Sequence, residues 1–232
     1  MYYLELYNML NTSALKIINM VKITKIPCVE LYDKNLNELP NELFELTHIT
    51  RLNLGFNNLE TIPDEIEKLE NLKELYLEGN KIKIFPKCIL KLKKLEFLSI
   101  ENNCIESIPA EIGNLTNLKY LYLSQNNLTS IPNEIENLEN LKQLYISVNK
   151  LTELPSCLGK MVLEKLVIGR NLFKGETYPE YLLHKKIEEL EAENKELRTV
   201  IKYMPDGEGF FEAKNHFERA IARDATKRSK NT

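Results

Sequence analysis

Six prolines, Pro40, Pro63, Pro86, Pro109, Pro132 and Pro155, stand 23 residues apart along the chain without a missed step. Self-similarity at one fixed period means that a single supersecondary unit is copied, and stacked units of that kind bury together what none buries alone. The apolar positions keep the same register, because Ile49, Leu52, Leu54, Leu59, Ile62, Ile66 and Leu69 return as Leu72, Leu75, Leu77, Ile82, Phe85, Ile89 and Leu92. One polar column joins them: Asn57, Asn80, Asn103, Asn126 and Asn149, then Asn171 after a unit shortened by one residue. The unit reads L-x-x-L-x-L-x-x-N-x-L-x-x-I/L-P-x-x-I-x-x-L-x-x.

Each column has a physical reading. In L-x-L, a period of two puts both leucines on one face of a short strand and the residue between them on the other. Strands of successive units then pair in parallel. Asparagine falls where the chain turns away from the strand, and its amide offers both a donor and an acceptor to the backbone of adjacent units. Proline lacks an N–H and fixes φ, which suits a turn on the opposite, convex side, outside the ladder.

These motifs resemble the leucine-rich repeat. The L-P-x-x-I-x-x-L half with its 23-residue step is similar to the class found in Ras-suppressor, scribble-type and small-GTPase scaffold proteins, over residues 26 to 173. The resemblance implies an α/β solenoid with a parallel concave sheet and a non-catalytic protein–protein interaction scaffold or adaptor that acts in signalling. It implies a protein partner, with small GTPases or a phosphatase complex among the candidates. The same repeats also serve as substrate-recognition or regulatory subunits of ubiquitin ligases, phosphatases and GTPase regulators. A compact chain rich in Lys, Asn and Ile adds a further alternative, a viral or pathogen effector that mimics such a scaffold.

If the columns hold the fold, discrimination between partners falls to the outward-facing strand positions. Between the two strand leucines these read Glu30, Asn53, Tyr76, Ser99, Tyr122, Tyr145 and Val167; before the first of them they read Cys28, Arg51, Glu74, Phe97, Tyr120, Gln143 and Lys165. Tyr76, Phe97, Tyr120, Tyr122 and Tyr145 are expected to form one exposed patch with Glu74, Glu78 and Glu101 on a flank. Aromatic anchors are enriched at interface hot spots, and an acidic flank favours a partner with a basic contact surface. The alternative is that tyrosine, a strong strand former, simply packs against its neighbours across the sheet.

Composition narrows the function further. With 31 basic and 34 acidic side chains the net charge is −3, so the chain lacks the basic excess of a general nucleic-acid binder. No apolar run is long enough to span a membrane, and the N-terminus shows no secretion signal. Neither C-x-x-C nor H-E-x-x-H occurs; His48, His184 and His216 have no nucleophile beside them in the repeat register. No catalytic residue, metal site or cofactor is therefore expected. Cys88 and Cys157 share a column three repeats apart, about 14 Å at the usual strand spacing and beyond disulfide reach. Cys28 is read as preceding the first strand and Cys104 as following the asparagine column. Reduced cysteines point to the cytoplasm, and the sequons at Asn11, Asn114 and Asn127 count as chance matches.

The ends differ from the repeats. Over 1–24, Leu4, Tyr7, Leu10, Ala14, Ile18 and Val21 fall on one helical stripe, which suits a helix capping the repeats of 25–175; a degenerate extra repeat is the alternative. Over 176–205, Leu183, Ile187, Leu190, Asn194, Leu197, Ile201 and Met204 are spaced as a heptad seam. Ile187, Asn194 and Ile201 at one core position, with Leu190 and Leu197 at the other, suit a parallel homodimer over 183–204, and a helix folding back to cap the last repeat is the alternative. Residues 206–232 read as a short helix and a basic tail.

Overall fold

The computed structural model describes residues 13–173. The chain divides into a unit spanning Met1–Asn171 and a second spanning Leu172–Thr232. The heptad over 183–204, with its dimerisation candidates Ile187, Leu190, Asn194, Leu197 and Ile201, and the basic tail lie outside the described residues.

Seven three-residue strands, β1 (Cys28–Glu30), β2 (Arg51–Asn53), β3 (Glu74–Tyr76), β4 (Phe97–Ser99), β5 (Tyr120–Tyr122), β6 (Gln143–Tyr145) and β7 (Lys165–Val167), form one parallel sheet in chain order. Each residue of β1 to β5 pairs with its counterpart one period on, Leu52 with Leu75 and Leu75 with Leu98, and the shortened last unit keeps alignment by pairing Leu144 with Leu166. The central residue is fully buried in Val29, Leu52, Leu75, Leu98, Leu121 and Leu144. Its two strand neighbours point the other way and stay half-buried on all but Ser99 and Lys165. Cys28 opens β1 rather than preceding it, so the reading of that residue as lying before the sheet is corrected.

On the other side of the unit, a 3-10 helix begins directly after each repeat proline, five residues long as at Asn41–Glu45, Asp64–Lys68 and Lys87–Lys91, and four at Ser156–Gly159. Proline, with φ of −63 to −72°, is held just outside the turn, where its carbonyl accepts the N–H of the third helical residue, Leu43 to Pro40 and Ile66 to Pro63. A proline disfavours helical backbone in the residue ahead of it; Leu39, Ile62, Phe85, Ile108 and Ile131 at that position are buried in the core, and Leu154 is half-buried.

The asparagine column closes each repeat onto the previous one. The Asn80 amide nitrogen donates to the carbonyl of Leu54 in the preceding repeat and to that of Leu77 in its own, each at 3.0 Å, while its oxygen accepts the Leu59 N–H. Asn57, Asn103, Asn126, Asn149 and Asn171 repeat the pattern, and all but Asn171 are buried. Lys34 occupies this column in the first repeat. Its backbone N–H donates to Asn57 Oδ1. A second, exposed column was not read from the sequence: Asn71, Asn117 and Asn140 donate to the carbonyls of Thr47, Lys93 and Thr116 one repeat earlier.

Helix α1 (Ala14–Thr24) buries Ala14, Ile17, Ile18 and Val21 and packs on β1 and Asn41–Glu45. It covers the apolar end that a stack of repeats leaves open. Lys25 closes it in the left-handed conformation and donates to the Val21 carbonyl, and Lys22 pairs with Glu45.

One backbone requirement is invisible in the residue types. The position before each column asparagine is left-handed, with φ between 49 and 68° at Asp33, Phe56, Gly79, Asn102, Gln125, Val148 and Arg170. Only Gly79 takes this without cost, and a β-branched residue such as Val148 is the least suited to it.

Two outcomes follow for urea unfolding. Asn103→Ala orphans the Ile82 N–H and leaves the Leu77 carbonyl with Asn80 alone, and is expected to cost about 1–3 kcal/mol for the group left unpaired. Val148→Asn, at an exposed side chain, is expected to raise stability by about 1 kcal/mol.

Candidate functional site

The outward strand positions bring five aromatic rings into a connected ladder. Tyr76 lies 4.6 Å from Phe97, Phe97 lies 5.1 Å edge-on to Tyr122 and 6.1 Å from Tyr120, and Tyr122 lies 4.4 Å from Tyr145, all between ring centres. Ser99, 3% exposed, stands between Tyr76 and Tyr122 in its column, and Phe97 contacts both of those rings across it. The rings are therefore half-buried, mostly by one another, rather than fully exposed. Such pairs add about 0.5–1.5 kcal/mol beyond area burial.

Polar contacts hold the ladder in place. The Tyr76 hydroxyl donates to Glu74 at 3.0 Å and the Tyr122 hydroxyl to Gln143 at 3.0 Å. At one end the Arg51 guanidinium lies 4.8 Å over the Tyr76 ring; at the other the Lys165 ammonium lies 5.1 Å over Tyr145. Burial, helped by the hydrogen bond to Glu74, pushes the Tyr76 phenol up to about 12. Burial also raises Tyr122, with smaller contributions from Tyr145 and Glu101.

The three glutamates expected on one flank fall into two settings. Glu74 lies on β3, where it accepts from Tyr76 and pairs with Arg51 at 3.4 Å, while Arg51 also holds Glu30 at 3.1 Å. Glu78 and Glu101 lie past the strands in a column that continues as Ser124 and Ser147, whose hydroxyls are hydrogen-bonded to each other at 3.0 Å. The Glu78 carboxylate occupies the space over Gly55, where an added Cβ would come within 2.7 Å of its Oε1. Glu101 is desolvated, feels the Glu78 charge, and is opposed in this by hydrogen bonding from Ser124, so its carboxyl sits above the ordinary 4.5.

A smaller aromatic pair escaped the sequence reading. Tyr32 and Phe56, 39% and 47% exposed, pack 5.2 Å apart at the edge of the sheet. The Phe56 ring covers Gly79, where a Cβ would meet it at 3.0 Å. The residue types were visible in their columns, but the contact depends on the left-handed turns at Phe56 and Gly79.

Elsewhere the chemistry is sparse. Among the described residues no group of three or more His, Cys, Asp and Glu is placed to hold a metal ion, and no helix is long and apolar enough to cross a membrane. The four cysteines are free thiols, and burial pushes Cys88 up to about 11, away from thiolate reactivity. A groove between the 3-10 helices is lined by Asp64, Glu67, Lys68, Lys91 and Lys94, charges of both signs.

With sheet, asparagine column and ring ladder in view, the class of molecule is a stacked-repeat solenoid. The chain belongs to the leucine-rich repeat family: one family model matches residues 29–82, 93–151 and 116–173, and a two-copy repeat model matches 70–115. Among solved structures, a leucine-rich repeat protein of Leptospira interrogans is 37% identical over 66% of this chain and 40% of its own, with a TM-score of 0.63. The leucine-rich repeat ectodomain of an Arabidopsis thaliana membrane receptor kinase, solved in complex with CASPARIAN STRIP INTEGRITY FACTOR 2, is 37% identical over 66% of this chain and 19% of its own, with a TM-score of 0.60. An internalin from Listeria monocytogenes shares the fold at 24% identity and a TM-score of 0.59, over 68% of this chain and 46% of its own. The chain thus spans less than half the length of each. No curated protein matches the sequence. Repeats of this family typically form protein–protein interaction modules and are generally non-catalytic.

Glu101 gives a pH test of the site. A carboxyl whose folded value is raised costs stability in full above that raised value and nothing below the ordinary one. Glu101→Gln is expected to raise the urea midpoint at neutral pH, and the gain should shrink as the pH falls toward 4.5.

Proposed function

We propose that this chain is a non-catalytic interaction module that holds a partner protein against the outward face of its sheet, at Tyr76, Phe97, Tyr120, Tyr122 and Tyr145. The observation that carries this reading is the ring ladder. Five aromatics run across four neighbouring strands, locked by hydrogen bonds and end-on cations, and remain half-open. Cross-strand packing alone explains why the rings touch. It does not explain why the four largest outward side chains of β4 to β6 and one of β3 present their remaining surface together, where a rigid aromatic face lowers the entropy cost of binding.

An intracellular setting belongs to this reading, since four unpaired thiols suit a reducing compartment. So does a role as an adaptor or scaffold in signalling. The complexes of plant receptors with peptide hormones, among the similar structures, support a protein or peptide ligand as the kind of molecule such a sheet takes.

Binding measured on the full-length chain with peptides selected from a random library tests the reading. Tyr76→Ala and Tyr122→Ala together are expected to weaken a selected peptide by 2 kcal/mol or more, about thirtyfold. Circular dichroism should show an unchanged fold. Undiminished binding to that variant places the partner elsewhere.

A further inference from the structure

The outward face carries its charges unevenly. Arg51 already serves Glu30 and Glu74, and Lys73 and Lys119 hold Glu96 at the strand entrances, at 3.3 and 2.7 Å. Glu78 and Glu101 have no such partner: among the described residues, none brings a cationic nitrogen within salt-bridge reach of either carboxylate. Glu78 Oε2 is buried and accepts no hydrogen bond. Buried acceptors in folded proteins are almost always partnered, so an orphan of this kind calls for an explanation.

Two neighbouring carboxylates without a cation favour a positive charge at their open side, and the surroundings narrow its kind. Glu78 and Glu101 occupy the same column of adjacent repeats, and the Glu101 charge is felt by Tyr122. The Glu78 carboxylate fills the space over Gly55 that a side chain there would take. A metal ion fits poorly, because two carboxylates fall short of the about six to eight oxygens that calcium takes. An ammonium or guanidinium on an apolar stem suits both halves of the site, its head at the carboxylates and its stem along the rings.

We infer that the partner enters this face as a segment that sets a lysine or arginine side chain between Glu78 and Glu101, with its stem along Phe97 and Tyr122. The inference rests on the reading of the face as a binding surface and adds the chemistry of what binds there.

The peptide library selected on the full-length chain, followed by titration of a synthetic representative, separates the two claims. The selected peptides are expected to place lysine or arginine next to apolar residues. Glu78→Gln and Glu101→Gln should each weaken the representative about tenfold, and replacing its arginine by neutral citrulline should do the same. Added salt should weaken the charged peptide and leave the citrulline form unmoved. Urea midpoints of both variants exclude unfolding as the cause. Peptides that require Tyr76 and Tyr122 yet bind the glutamine variants as well as the parent overturn the cation claim and keep the binding face. Peptides indifferent to the tyrosines, or a selection that returns none, overturn both.

Discussion

One side-chain amide per repeat reaches backbone groups on two neighbouring turns, and the rest of the unit is spaced to let it do so. Asn80 spans from the Leu54 carbonyl to the Leu77 carbonyl while accepting the Leu59 N–H, and each of those carbonyls is shared with the asparagine of a neighbouring repeat, Asn57 and Asn103 respectively, so the amides run as one continuous chain of bonds through the stack. The strand, the left-handed residue and the turn before the 3-10 helix must all arrive at fixed places for this to close. Hence the unvarying period. The short last unit respects the same demand, since Asn171 still reaches Ile146 and Ile168 after losing one residue elsewhere in the repeat.

Much of this was legible because it depends on residue identity. The buried strand centres, the asparagine column and the outward strand positions each restrict which side chains fit, and a restriction repeated every 23 residues shows in the letters. The left-handed column restricts only the backbone. Asp33, Phe56, Asn102, Gln125, Val148 and Arg170 share no chemistry, and only φ unites them. The exposed amides of Asn71, Asn117 and Asn140 are interrupted in their column by His48 and Lys94, which hid the pattern although Lys94 still takes part by donating to Asn71.

The acidic residues show a different limit. Glu74, Glu78 and Glu101 are expected on one flank, yet they do not share a setting. In a solenoid, however, the relevant neighbour is one period away: Arg51 stands beside Glu74, and Gly55 beside Glu78. The same step read along the aromatic positions does foresee their company. Cross-strand contact then turns isolated side chains into a pre-organised surface, with little rotamer freedom left to lose.

The strict alternation along each strand has a consequence for how such a chain can change. The residue that points inward is committed to the stack, whereas its two outward neighbours touch mainly other outward side chains, most of them on adjacent strands. Recognition can therefore be rewritten by substitutions at those outward sites while the scaffold is inherited intact, and a new specificity need not wait for a new architecture.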